Sequence, residues 1–112
     1  MQHLYFAQSA SNATGTMGLW PANSFTGIEA SGTATSTISF KSTRNNSSDD
    51  TVLVTHGTGK HKEVARALAI AMNPTYHGIK EKVIVFADQE NGIYFDAGLG
   101  GGMTGTVTVT LG

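Results

Sequence analysis

The stretch Thr51–Pro74, TVLVTHGTGKHKEVARALAIAMNP, constrains this chain more than any other. Val52, Leu53 and Val54 form a short apolar run, a glycine-containing turn follows, and residues 60–73 carry the one strong helical pattern in the sequence. Val64, Leu68, Ala71 and Met72 share one side of that helix, and the many alanines let it lie close to a sheet. Asn73-Pro74 ends it, because proline disfavours helical backbone in the residue before it. The order strand, glycine turn, helix is also that of a phosphate-binding loop, which needs G-x-x-x-x-G-K-[ST]. Gly59-Lys60 supplies the GK pair, but Val54 stands where the first glycine belongs and His61 where the magnesium-binding hydroxyl belongs. Valine does not readily take the positive-φ backbone that a glycine there permits, and imidazole suits magnesium poorly. The motif therefore fails on two positions. What remains is a basic turn, Lys60, His61 and Lys62, at a helix start where the dipole favours negative side chains. Two readings of it stay open: a solvated turn, or a contact for an anion such as an acidic patch on a neighbouring protein.

The flanking segments are strand-like. His3–Gln8 alternates, with Leu4 and Phe6 on one face and His3 and Tyr5 on the other. Thr33–Thr43 places Ile38 and Phe40 inward and is expected to pair with Thr51–Thr55 as an antiparallel hairpin across the polar run RNNSSDD, in which Asp49 and Asp50 read as solvated turn carboxylates. Lys82–Ala87 is the strongest strand, and Asn91-Gly92 signals a hairpin returning through Ile93, Tyr94 and Phe95. Thr104–Leu111 alternates strictly, with Val107, Val109 and Leu111 on one side and Thr106, Thr108 and Thr110 on the other. A terminal Thr-lined strand of this kind is expected to be an edge available to another subunit. Small polar residues at 9–18 and the segment LWPANSF at 19–25 suggest an extended arm around residues 9–34. Trp20, Leu19 and Phe25 either fold back over an edge of the core, or Met17, Leu19 and Trp20 form an exposed anchor for a partner. The expected fold is a small, β-rich α+β single domain over residues 1–112, with about six strands and one helix packed on a mainly antiparallel sheet.

Composition narrows the function classes. Charged residues make up 13% of the 112 residues and the formal net charge is −1, which argues against a nucleic-acid binder. The chain has no cysteine, so disulfides, thiol catalysis and cysteine-ligated zinc are excluded. No apolar run is long enough for a membrane-spanning helix, and the N-terminus lacks the basic start and apolar stretch of a signal peptide. The expectation is a soluble chain made inside the cell. His56 and His61 are five positions apart across a turn, not the i, i+4 pair of a helical zinc site, and no G-x-S-x-G elbow occurs. Asp88, Glu90 and Asp96 flank a turn, where carboxylates collect. No catalytic, cofactor-binding or metal-binding residue is expected, and the reading is non-enzymatic. Few ions on a small soluble surface fit burial against partners.

Taken in order, the opening MQHLYFAQSA, the segment WPANSFTGIEA, the ISFKS strand, DDTVLVTH leading into GKHKEVARALAIAMN, and the KVIVFADQENGIYF hairpin span nearly the whole chain. This pattern resembles small virion proteins of tailed phages, notably marine and cyanobacterial ones. The resemblance implies a capsid decoration or cement-like protein that binds the major capsid protein or sister copies. It would be made in the host cytoplasm and located on the capsid surface of the virion, with no cofactor, membrane, nucleic acid or small-molecule substrate. A tail, neck or head-completion component and a nucleotide- or anion-binding protein using Gly57–Lys62 remain as alternatives. Met17, Leu19, Trp20, Lys60, His61, Lys62, Thr106, Thr108 and Thr110 are the expected interface candidates.

Overall fold

The computed structural model describes residues 2–8, 17–42, 48–73, 82–96, 98, 100, 102–103 and 106–110. Eight strands and one α-helix follow in the order β1 (Gln2–Ala7), β2 (Met17–Pro21), a single 3-10 turn (Ala22–Ser24), β3 (Phe25–Gly32), β4 (Thr35–Phe40), β5 (Asp50–Thr55), α1 (His61–Met72), β6 (Lys82–Asp88), β7 (Ile93–Tyr94) and β8 (Val107–Thr110). The α+β class is as expected, but the strands exceed six and divide into two four-stranded sheets, β2-β1-β6-β7 and β3-β4-β5-β8.

The expected hairpin of β4 and β5 forms, antiparallel and in unbroken register from Thr35↔Thr55 to Phe40↔Asp50. The Asn91-Gly92 turn joins β6 to β7, with Gly92 at φ 66°, a conformation that glycine adopts without steric cost. The long-range pairing of β1 with β6 is parallel, the sole parallel pairing among the described strands. A bulge between Tyr5 and Phe6 shifts its register by one residue.

The expected arm is not an arm over residues 17–34. Met17–Pro21 and Phe25–Gly32 are strands, and the chain crosses from one sheet to the other through Pro21 and the 3-10 turn, held by Ser24 Oγ–H donating to the Pro21 carbonyl at 2.8 Å. Residues 9–16, Leu111 and the expected bend at His77-Gly78 lie outside the described residues.

Alternation places one face of each sheet inward. Leu4, Phe6, Trp20, Ile84 and Phe86 from the first sheet meet Ile38, Phe40, Val52, Val54, Val107 and Val109 from the second. α1 closes this core with Val64, Ala67, Leu68 and Ala71, packing against β1, β6 and β3. At the centre Phe6 contacts Trp20, Phe40 and Phe86 with ring centroids 5.5–5.8 Å apart. Trp20 stacks flat on Phe40 at 4.8 Å. Each such aromatic contact adds about 0.5–1.5 kcal/mol beyond the area it buries.

Candidate functional site

The turn between β5 and α1 gathers the densest set of chemistry-bearing side chains. His56 leaves β5 with its amide donating to the Ala34 carbonyl at 2.8 Å. Its Nδ1 lies 2.8 Å from the Gly57 carbonyl, so Nδ1 must carry the proton. Nε2 is then an acceptor and takes the Ser36 hydroxyl at 2.9 Å. His61, at the first position of α1, donates from Nε2 to the Gly32 carbonyl and sets its ring edge-to-face against His56 at 4.7 Å. The order hydroxyl, imidazole, carbonyl is that of a serine nucleophile with its base and an orienting group. Ser36 and His56 are both buried, so this pair is not displayed on the open surface. The bonds instead tie the β3–β4 turn to the start of α1. A shallow hollow of about 200 Å³ lies beside them, lined by Ile28, Ala30, Ser36, His61 and Ala65 among others.

The same turn is not shaped for phosphate. A phosphate loop presents free backbone N–H groups to its ligand. Here the Gly59 amide donates to the Thr33 carbonyl at 2.9 Å and the Lys60 amide to the Gly57 carbonyl at 3.0 Å. Gly59, at φ 76°, makes the bend, and Lys60 pairs at 3.7 Å with Glu63 on the surface. Lys62 is exposed, while His61 is half-buried and bonded inward. The basic triplet thus splits into two exposed lysines and one structural histidine. Among the described residues no three His, Asp or Glu side chains are placed to hold a metal ion.

Four aspartates are engaged in structure. Asp88 caps the β6–β7 turn by accepting from the Asn91 amide at 3.2 Å and from Asn91 Nδ2 at 2.8 Å. Asp96 accepts from the Gly98 amide, and Asp49 from the Thr26 hydroxyl. Asp50 corrects the expectation of a solvated turn: it opens β5 facing the core, buried, and accepts the Trp20 indole N–H at 3.0 Å. Burial, then the charges of Asp88 and Glu90, push the Tyr5 hydroxyl's pKa up, and burial followed by Asp88 does the same for Tyr94.

No protein-family model, curated protein or solved structure matches this chain.

Apart from the buried Gln2 amide, which has no hydrogen-bond partner among the described residues, the polar groups above are engaged in structure, and the surface is the next candidate. Trp20 is withdrawn as an interface residue, because it lies in the core. Its neighbours Met17 and Leu19 alternate with it and point the other way, 49% and 43% exposed. The two sequence readings of this segment each hold in part, since one strand has an inner and an outer face. Val83 at 55% and Ile93 at 52% complete the large apolar side chains that are exposed among the described residues. All four lie on one surface. Leu19 pairs with Tyr5, and Tyr5 with Val85; His3 joins Pro21 to Val83; Ala7 joins Met17 to Asp88, whose other partner is Ile93. Register partners share a face, so Met17, Leu19, Val83 and Ile93 all lie on the outer side of β2-β1-β6-β7, interleaved with His3, Tyr5 and the buried Asp88. The outer side of the other sheet is lined by Thr37, Ser39, Thr51, Thr55, Thr108 and Thr110, with Leu53 between Thr37 and Thr108.

Thr106, Thr108 and Thr110 are exposed as expected, but their strand is not open. The Val107 and Val109 amides, pointing away from β5, donate to Gln89 Oε1 at 2.9 Å and to Gln8 Oε1 at 2.8 Å. Two glutamines from the ends of β6 and β1 thereby cap the β8 edge and bind the two sheets together. Sequence reading missed both, along with Val83 and Ile93. The alternation of KVIVFAD marks two apolar sets without saying which one faces out.

Proposed function

We propose that this chain is a non-enzymatic structural protein of a phage virion. It decorates or cements the capsid by laying the outer face of β2-β1-β6-β7 against the major capsid protein or sister copies. The observation that carries the reading is the collection of Met17, Leu19, Val83 and Ile93 on one sheet face. Exposed apolar side chains gathered on one face are a feature of interaction surfaces. Ser36, His56, His61 and Asp88 are engaged in structural hydrogen bonds, and the order of segments along the chain resembles phage virion proteins. The Gly57–Lys62 turn draws no support as an anion site, because its Gly59 and Lys60 amides are internally bonded.

Quantitative mass spectrometry of purified virions tests the reading. Hundreds of copies per particle are expected for decoration through repeated symmetric contacts. About a dozen or fewer would move the chain to the neck, tail or head-completion apparatus. Absence from particles would overturn the proposal. The face itself is tested by Val83→Glu and Ile93→Glu, which place charges on exposed positions: folded variants that no longer incorporate support it, and unimpaired incorporation refutes it.

A further inference from the structure

The turn from β6 to β7 carries Asn91-Gly92, the one Asn-Gly pair in the 112 residues. Both residues are exposed, and Gly92 stands at φ 66° with nothing within 4 Å of the place where a side chain would lie. An asparagine in that setting is chemically unstable. The amide nitrogen of the following residue attacks the side-chain carbonyl carbon, and glycine has no Cβ to shield that nitrogen. Asn91 is also the partner of Asp88, donating its backbone amide to Oδ1 at 3.2 Å and Nδ2–H to Oδ2 at 2.8 Å. Asp88 is only 4% exposed, so water is poorly placed to replace those donors.

We propose that Asn91 is a site of spontaneous deamidation, which converts the cap of the β6–β7 turn into a repelling pair. The Gly92 nitrogen forms a bond to Asn91 Cγ, the Cγ–Nδ2 bond breaks, and the Gly92 amide proton leaves with Nδ2 as ammonia. Water then opens the five-membered imide at either carbonyl, leaving aspartate or isoaspartate at position 91. No enzyme, oxidant or cofactor enters the balance. The product has lost the Nδ2 donor and sets a second carboxylate against Asp88, where a hydrogen bond of 2.8 Å stood. Like charges at that distance repel strongly beside a poorly solvated group, so the turn opens or the two carboxylates share a proton. In isoaspartate the main chain also runs through the side-chain carbon, which lengthens the turn. β7 is two residues long and pairs with β6 through Ala87↔Tyr94 and Asp88↔Ile93, directly beside this cap. Gln89, whose side chain accepts the Val107 amide of β8, belongs to the same turn. Deamidation therefore loosens β7, with Ile93, and slackens a tie between the two sheets. The chemistry belongs to the chain itself and holds whether or not the protein is part of a virion.

The test is ageing of the purified full chain at mildly alkaline pH, followed by intact mass measurement and peptide mapping. A species in which one NH has become O, mapping to position 91 as a mixture of aspartate and isoaspartate, is expected to accumulate over days. Gly92→Ala should slow its formation severalfold, because the added methyl group crowds the attacking nitrogen. Alanine is strained at φ 66°, so Asn91→Gln, which would have to close a larger ring, provides a second block, and circular dichroism confirms folding of both. Asn91→Asp, made directly, should melt roughly 4 °C or more below the wild type. Asp88→Asn in that background should recover most of the loss, since it exchanges donor and acceptor across the same pair. No mass change over several weeks, a change that maps to other residues instead, or an Asn91→Asp variant that melts with the wild type would each overturn the proposal.

Discussion

Trp20→Phe removes one hydrogen bond and a small volume from the centre of the protein, and both losses are calculable. The indole N–H donates at 3.0 Å to the buried Asp50 carboxylate, bridging β2 of one sheet to β5 of the other. A hydrogen bond to a charged group contributes about 1.5–3 kcal/mol net. Phenylalanine keeps a ring against Phe40 but leaves the space of the pyrrole edge, on the order of 40 Å³, costing ~1 kcal/mol at about 24 cal/mol per Å³. The expected loss is about 2.5–4 kcal/mol. Where each kcal/mol moves the melting temperature by roughly 4 °C in a domain of this size, the midpoint falls by roughly 10–15 °C. Urea unfolding followed by far-ultraviolet circular dichroism measures it without relying on the mutated fluorophore. A cycle with Asp50→Ala and the double variant isolates the pair, for which a coupling of about 1–2 kcal/mol is expected. Coupling below ~0.3 kcal/mol would refute the claim that this bond joins the sheets energetically.

Three further outcomes follow from the same packing. Gln8→Ala with Gln89→Ala should cost about 1–3 kcal/mol, two net hydrogen bonds, and should add concentration-dependent association through the uncapped β8 edge, read by urea unfolding and sedimentation. Gly18→Ala should destabilise by about 1–3 kcal/mol, because a Cβ there would fall inside the Trp20 ring, and thermal melting reads the loss. Tyr5 and Tyr94 should ionise above the ordinary tyrosine pKa of 10.0, as read from tyrosinate absorbance in Tyr5→Phe and Tyr94→Phe difference titrations. The folded state holds these protons more tightly than the unfolded one. Their contribution to stability is therefore complete below pH 10 and lost as pH rises through the raised values.

What was legible in the sequence was local. Leu4 and Phe6, Ile38 and Phe40, and Val107 and Val109 alternate cleanly, and each set faces the core. The helix announced itself through Val64, Leu68 and Ala71, and the β6–β7 turn through Asn91-Gly92. What was not legible depends on partners far along the chain. The parallel pairing of β1 with β6 and the division into two sheets are set by the shared core. The crossing at Pro21–Phe25 therefore reads locally as a loose arm. Asp50 follows Asp49 in a polar run, and only the Trp20 indole thirty residues away makes it a core residue. Gln8 has no motif at all, since its partner is a backbone amide 101 positions later.

Those distant contacts also cover a sheet edge in a chain with only 13% charged residues. Lysine and glutamate are the usual edge guards. Here neutral devices take most of that role: glutamine amides on β8, brevity in β7 and broken register in β3. None requires surface charge, so a low-charge surface and three guarded edges are compatible. β2 carries no charged residue, and among the described residues nothing pairs with its outer side. Its edge is marked instead by Pro21, which has no N–H to offer a further strand.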